Sequence, residues 1–194
     1  MGARMTTTLL VPGLEGSGEG HWMRWWQEAE AEAGARTVAF TDLGDPVPDA
    51  MAVELAEAVL AHPGAVLVGH SLGAIVIAQV LADWPGLPVT GALLVAPADP
   101  ALHHRLHRFA PLPRRPLPVP AMAALSRNDP LMDLATASGL ARDWKATIVD
   151  LGEAGHVDRA SGHGPWPLGP ELRDALLRRG GLGPGGAWPG LAAS

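Results

Sequence analysis

Residues 68–74 read Val-Gly-His-Ser-Leu-Gly-Ala, so Ser71 stands between Gly69 and Gly73 in a Gly-x-Ser-x-Gly spacing. A serine hydroxyl is a weak nucleophile until a base takes its proton and a carboxylate orients that base. Later segments offer both groups: Ser-Arg-Asn-Asp-Pro carries Asp129, and Gly-Glu-Ala-Gly-His carries His156. Serine, aspartate and histidine thus follow in the chain order in which a serine on a strand-to-helix elbow receives its partners. The chain holds 24 glycines, so the string alone could arise by chance. Its context has to decide.

An elbow needs a strand before it and a helix after it. Ala65 to Gly69 is a continuous apolar run, as in a strand covered on both faces of a parallel sheet. Leu72 to about Trp84 is helical in length and apolar nearly all round until Pro85. Upstream, strands are expected at 6–11 and 36–40, with a helix at about 20–34 showing Trp22, Trp25, Trp26, Ala29 and Ala33 on one face. A second helix carries Met51, Leu55 and Val59 and stops at Pro63-Gly64. Downstream, strands are expected at 92–95, 122–125 and 147–151, and helices at about 131–144 and 168–179. About six strands alternating with helices imply an α/β fold, a parallel sheet with helices on both faces.

In that frame Asp129 falls on the loop after the fifth strand and His156 on the loop after the sixth, both at carboxyl ends, as Ser71 does after the third. The developing oxyanion needs two backbone N–H donors. One is expected from Leu72, just after the serine, and the other from Leu14 in the glycine-rich loop beyond Pro12-Gly13. That loop's glycines fit no nucleotide-binding spacing, and no Gly-Lys-Ser/Thr follows.

Composition narrows the chemistry further. At 194 residues the chain suits one domain at 1–179, able to bury roughly 70% of its unfolded surface, with a Gly/Pro-rich flexible tail at 180–194. Acidic side chains outnumber basic ones, 20 to 14, which leaves no basic stripe for nucleic acid. Cysteine is absent, which removes thiolate nucleophiles, disulfides and cysteine-ligated zinc. The apolar patch at Leu9 to Val11 is too short for a signal peptide, and no run reaches the roughly 18 apolar residues of a membrane span. A soluble, cytoplasmic monomer acting on a small acyl substrate without a cofactor is the expectation.

Together, "VPGLEGSGEGHWMRWW", "VGHSLGA", "FAPLPRRPLP", "SRNDP" and "AGHVDRASGHGPWPLG" resemble the small α/β-hydrolases grouped around retinoblastoma-binding protein 9 and bacterial YdeN, over about residues 6–178. The resemblance implies a trimmed α/β-hydrolase fold without the usual first antiparallel strand pair. It also implies a serine hydrolase whose triad is Ser71, Asp129 and His156. Val157 and Asp158 depart from the Ile-Asn that relatives often carry there. The activity so implied is cleavage of an ester, thioester or amide through an acyl-enzyme. A protein-binding module on a vestigial site and an acyltransferase are the alternatives.

Other residues invite chemistry and have structural readings beside it. His70 adjoins the serine but is expected to point away and pack. His21 with Trp22 either lines the mouth of the site or packs at a helix start, and Trp166 either walls the pocket or closes a loop. Asp99 is the rival acid, on a loop one strand too early. His103, His104 and His107 have metal-like spacing but lie in a proline-rich connection at 97–120, where a solvated loop is expected. Trp144 reads as core.

Overall fold

A computed structural model of the chain describes residues 6–180. Its frame is a six-stranded, wholly parallel sheet of β1 (Thr8–Val11), β2 (Ala35–Thr37), β3 (Ala65–His70), β4 (Val89–Val95), β5 (Ala121–Leu125) and β6 (Thr147–Asp150), in the order β2-β1-β3-β4-β5-β6. Parallel neighbours require crossovers, and α-helices supply four of the five: α1 (Trp22–Ala29), α2 (Pro48–Ala61), α3 (Leu72–Asp83) and α4 (Leu134–Asp143), with α5 (Leu168–Gly180) after the last strand. The expected tail lies, from residue 181 on, outside the described residues.

Strand alternation divides the core into two layers. Leu9, Val11, Leu67, Leu94 and Ala123 face α2, α3 and α4, whereas Leu10, Val66, Val68, Leu93 and Met122 face α1 and α5. Both faces of the central strands are therefore dry, which is why β3 carries no polar residue before its last position. The deepest helix is α3, in which Leu72 to Ala78 are all buried. No helix among the described residues is long and apolar enough to cross a membrane.

Several expected boundaries shift: β2 ends at Thr37 rather than at 40, β4 begins at Val89 rather than at 92, and two helices are shorter than expected. The first helix ends at Ala29, where Glu30 N–H bonds the Trp26 carbonyl and Gly34 turns the chain at φ +89° into β2. Its buried residues are Trp22, Met23 and Trp26; Trp25 is half-buried and Ala29 exposed, so the apolar face is rotated from the expected one. The helix expected from 131 begins at Leu134, because the Asp133 carboxylate caps it by accepting from Thr136 N–H at 2.9 Å. The long connection after β4 contains a short 3-10 helix, His104–Phe109, anchored by buried Leu106 and Phe109 and by Gln79, which donates to the Phe109 carbonyl at 2.7 Å.

Candidate active site

Ser71 sits where β3 ends and α3 begins, with φ +56° and ψ −119°, a conformation costly for a residue with a side chain. The surrounding packing holds it there. A Cβ on Gly73 would stand 2.0 Å from the Val11 carbonyl oxygen, and one on Gly69 would stand 2.7 Å from the Ala74 nitrogen. Both glycines are thus demanded by contact with backbone. Only without side chains there can α3 start hard against the end of β1. Ser71 N–H donates to the Val95 carbonyl at 3.1 Å, tying the elbow to β4.

The loops after β5 and β6 bring the other two residues to it. His156 Nδ1 lies 2.9 and 3.0 Å from the Asp129 carboxylate oxygens, and His156 Nε2 lies 2.8 Å from Ser71 Oγ. A carboxylate can only accept, so Nδ1 carries the hydrogen. In the neutral ring Nε2 is then a lone pair facing the hydroxyl, the tautomer that can receive its proton. Asp129 is held in turn by Leu131 N–H, which donates to Oδ1 at 2.8 Å. Asp129 and His156 expose only 4% and 8% of their side chains, so water competes little with this chain of bonds.

The other candidate acid lies elsewhere. Asp99 turns its carboxylate to its own loop, accepting from Ala101 N–H at 2.9 Å.

Comparisons with known proteins show the family and the fold. A family model described as serine hydrolase matches residues 8–174. The chain belongs to that family. Among solved structures, this hydrolase is similar to a YdeN-like hydrolase from Pectobacterium atrosepticum, at 30% identity and a TM-score of 0.75, covering 91% of this chain and 90% of that one. The ydeN gene product of B. subtilis superposes with the same TM-score at 18% identity, over 89% of this chain and 99% of that one. The esterase domain of a Rhodothermus marinus protein shares the fold at 17% identity and a TM-score of 0.63, over 90% and 87% of the two chains. A comparison with curated proteins gives no match.

Leu72 and Leu14, the expected sources of the oxyanion donors, both belong to segments at the elbow. Leu72 opens α3, where the first N–H groups have no partner within a helix. Leu14 is the second residue of a tight turn closed by Gly16 N–H on the Gly13 carbonyl at 3.0 Å. That turn abuts the serine: a Cβ on Gly13 would lie 3.0 Å from Ser71 Cβ.

His70 is buried and packs, as its alternation implied, among the rings of His21, Trp22 and His156 at 5.0 to 5.7 Å. It also donates from Nε2 to the His156 carbonyl at 2.8 Å, a role sequence reasoning missed because it depends on a loop 86 residues away. Burial, reinforced by the nearby His156 ring, lowers its pKa to about 3, so it is a neutral donor.

His21 caps α1 through Nδ1, which accepts from Met23 N–H at 3.1 Å. Burial lowers its pKa too. The helix-start reading of His21 is the one observed; the residue also lines a depression of about 550 Å³ beside Glu19, Trp25 and Pro165. Ser71, Asp129 and His156 do not line that depression.

Asp158 closes the next turn through Ser161. Its burial raises the carboxyl pKa, but the Ser161 hydroxyl and N–H outweigh that and hold it below the usual value. Trp166 is buried with its ring 5.0 Å from that of Trp22, on the core side, and Trp144 is core, donating to the Pro113 carbonyl. His103 caps the 3-10 helix and stacks on His104. No cluster of three or more metal-ligating side chains occurs among the described residues.

Proposed function

We propose that this hydrolase cleaves a small ester, thioester or amide through an acyl-enzyme on Ser71. Its Oγ attacks the substrate carbonyl carbon while His156 Nε2 takes the hydroxyl proton. The resulting oxyanion accepts hydrogen bonds from the N–H groups of Leu14 and Leu72. As the tetrahedral intermediate collapses, His156 returns the proton to the departing oxygen, sulfur or nitrogen, and the acyl group stays on Ser71. Water then repeats the sequence, losing its proton to His156 and releasing the acid. Asp129 keeps the imidazole in its working tautomer and balances its charge once protonated.

The observation that carries this reading is the unbroken run of bonds from the Asp129 carboxylate through His156 to Ser71 Oγ at 2.8 Å. A site that had decayed into a binding surface would have no need of a strained serine facing an imidazole lone pair.

A fluorophosphonate probe, with peptide mapping of the adduct, tests it. Labelling is expected on Ser71 and is lost in Ser71→Ala. Turnover of p-nitrophenyl acetate is expected to fall roughly a million-fold in Ser71→Ala and about ten-thousand-fold in Asp129→Asn, with little change in Asp99→Asn. If the two aspartates exchange these outcomes, the acid is on the wrong loop. Full turnover in Ser71→Ala would leave the elbow as a turn only. Product analysis with an added alcohol separates hydrolysis from acyl transfer.

A further inference from the structure

Four consecutive residues of the loop that bears His156 are each held by a side chain from another part of the fold. Ala154 N–H donates to Ser126 Oγ at 3.0 Å, and Gly155 N–H donates to Asn128 Oδ1 at 2.7 Å. The His156 carbonyl accepts from His70 Nε2 at 2.8 Å, and the Val157 carbonyl accepts from Trp22 Nε1 at 2.7 Å. The loop needs such support. Val157 lies at φ +50°, a region that β-branched residues avoid, and Gly155 lies at φ +59°. Strain of this kind persists only when the surroundings impose it.

Two of the four holders are the chain neighbours of the residues that must meet the imidazole. His70 precedes Ser71, and Asn128 precedes Asp129. Each of those two loops therefore grips the backbone of the histidine loop at one residue while presenting its functional side chain to the ring at the next. We propose that His70 and Asn128 are positioning residues that clamp Gly155 and His156 in the register where Nε2 meets Ser71 Oγ and Nδ1 meets Asp129. This rests on the reading of Ser71, Asp129 and His156 given above.

The two jaws are unequal. The His70 bond is buried, whereas Asn128 is exposed and water can replace its oxygen. His70 suits its place in a second way. A neutral ring donates to the carbonyl without setting a positive charge against the imidazolium formed during turnover, which a buried lysine or arginine would do. Ser126 supports the other jaw, donating from Oγ to Asn128 Oδ1 at 2.9 Å.

The test compares His70→Phe, which keeps a ring and loses the donor, with His70→Gln, whose amide nitrogen can occupy the place of Nε2. Steady-state hydrolysis of p-nitrophenyl acetate is read together with amide hydrogen exchange. His70→Phe is expected to lower kcat by roughly 30- to 100-fold with KM within about two-fold, since a displacement near 1 Å costs that much. Exchange at residues 154–157 should quicken while the amides of β3, β4 and β5 stay protected. His70→Gln should recover most of kcat even if it melts earlier. Asn128→Ala should cost about 3- to 10-fold, and the double variant less than the product of the two, because one released jaw already frees the loop.

If His70→Phe does not fold, His70→Gln against Asn128→Ala and their double variant carries the comparison. The clamp is overturned by a kcat within about two-fold of the parent in His70→Phe, by a loss confined to KM, or by Gln serving no better than Phe. Ser71→Ala distinguishes the failures. If Ser71→Ala is inactive while His70→Phe is unimpaired, only the clamp falls. If Ser71→Ala turns over normally, the reading of the site falls and the clamp with it.

Discussion

His70 shows how one buried residue can link catalysis to stability. Its pKa falls from 6.5 to about 3 in the folded chain, first through burial and then through the nearby His156 ring, with the bond to the His156 carbonyl opposing, His21 adding to the fall and Asp158 opposing it. Between those two values the unfolded chain holds a proton that the native chain refuses, so stability rises with pH there. The contribution is complete above about pH 6.5 and is lost as pH falls toward 3, at about 1.4 kcal/mol per unit. His21 is shifted the same way and adds to the slope. The depressed carboxyls of Asp133, Asp150 and Asp158 start from 3.8, so their loss comes at lower pH. The window from pH 6.5 to 4.5 therefore isolates the histidines. Melting temperature is expected to fall across that window in the parent and to fall distinctly less in His70→Gln, by scanning calorimetry. Parallel slopes would show that His70 accepts a proton where it stands.

At the scale of elements, the elbow depends on absences. A Cβ on Gly73 would meet the carbonyl oxygens of Val11, the last residue of β1, and of Pro12 just after it, and backbone cannot rotate aside as a side chain would. Gly73→Ala is therefore expected to push α3 off β1, costing roughly 3 kcal/mol or more. Turnover should fall as well, because Ser71 and Leu72 move with the helix. Denaturant midpoints and kcat measured together check this, and a variant unchanged in both would mean that the close approach is not maintained.

Much of this architecture was legible because it is local. An apolar run, a Gly-x-Ser-x-Gly and an apolar helix stand side by side in the chain, and Asp129 and His156 each follow a short strand of their own. Where the reading slipped, the cause was a local cap, as Asp133 is for the fourth helix, or a contact made only in the fold. The first helix stops at Ala29 and Gly34 turns the chain into β2, while the Glu30 side chain meets Arg173, 143 residues away. In the connection after β4, buried Leu106 and Phe109 are spaced by charged residues and followed by prolines, so no periodicity announced the 3-10 helix. His70 was expected only to pack, because its partner is a carbonyl oxygen, a group every residue has.

On the scale of the whole molecule, the two ends of the parallel sheet do different work. The carboxyl ends carry Ser71, Asp129 and His156 on closely held loops, with backbone strain at Ser71 and at Val157 beside the histidine. At the amino end, Arg173 of α5 pairs with Glu30, donates to Thr8 Oγ1 at the start of β1 and lies 5.5 Å over the Trp26 ring. The pair is largely sheltered, with 13% and 23% of the two side chains exposed, so removing the cation leaves a half-buried carboxylate with Trp26 Nε1–H as its remaining side-chain partner. Arg173→Met, which keeps the aliphatic stem, is expected to cost about 2 kcal/mol, less than for a fully buried pair because water reaches Glu30. Since the sheet separates this staple from the elbow, kcat and KM for p-nitrophenyl acetate should stay within about two-fold of the parent. Denaturant unfolding read beside steady-state kinetics decides the matter. A variant that keeps its stability but loses turnover would show that the amino end of the sheet governs the geometry of Ser71, whereas lost stability with intact turnover would show that chemistry and cohesion are built at opposite edges.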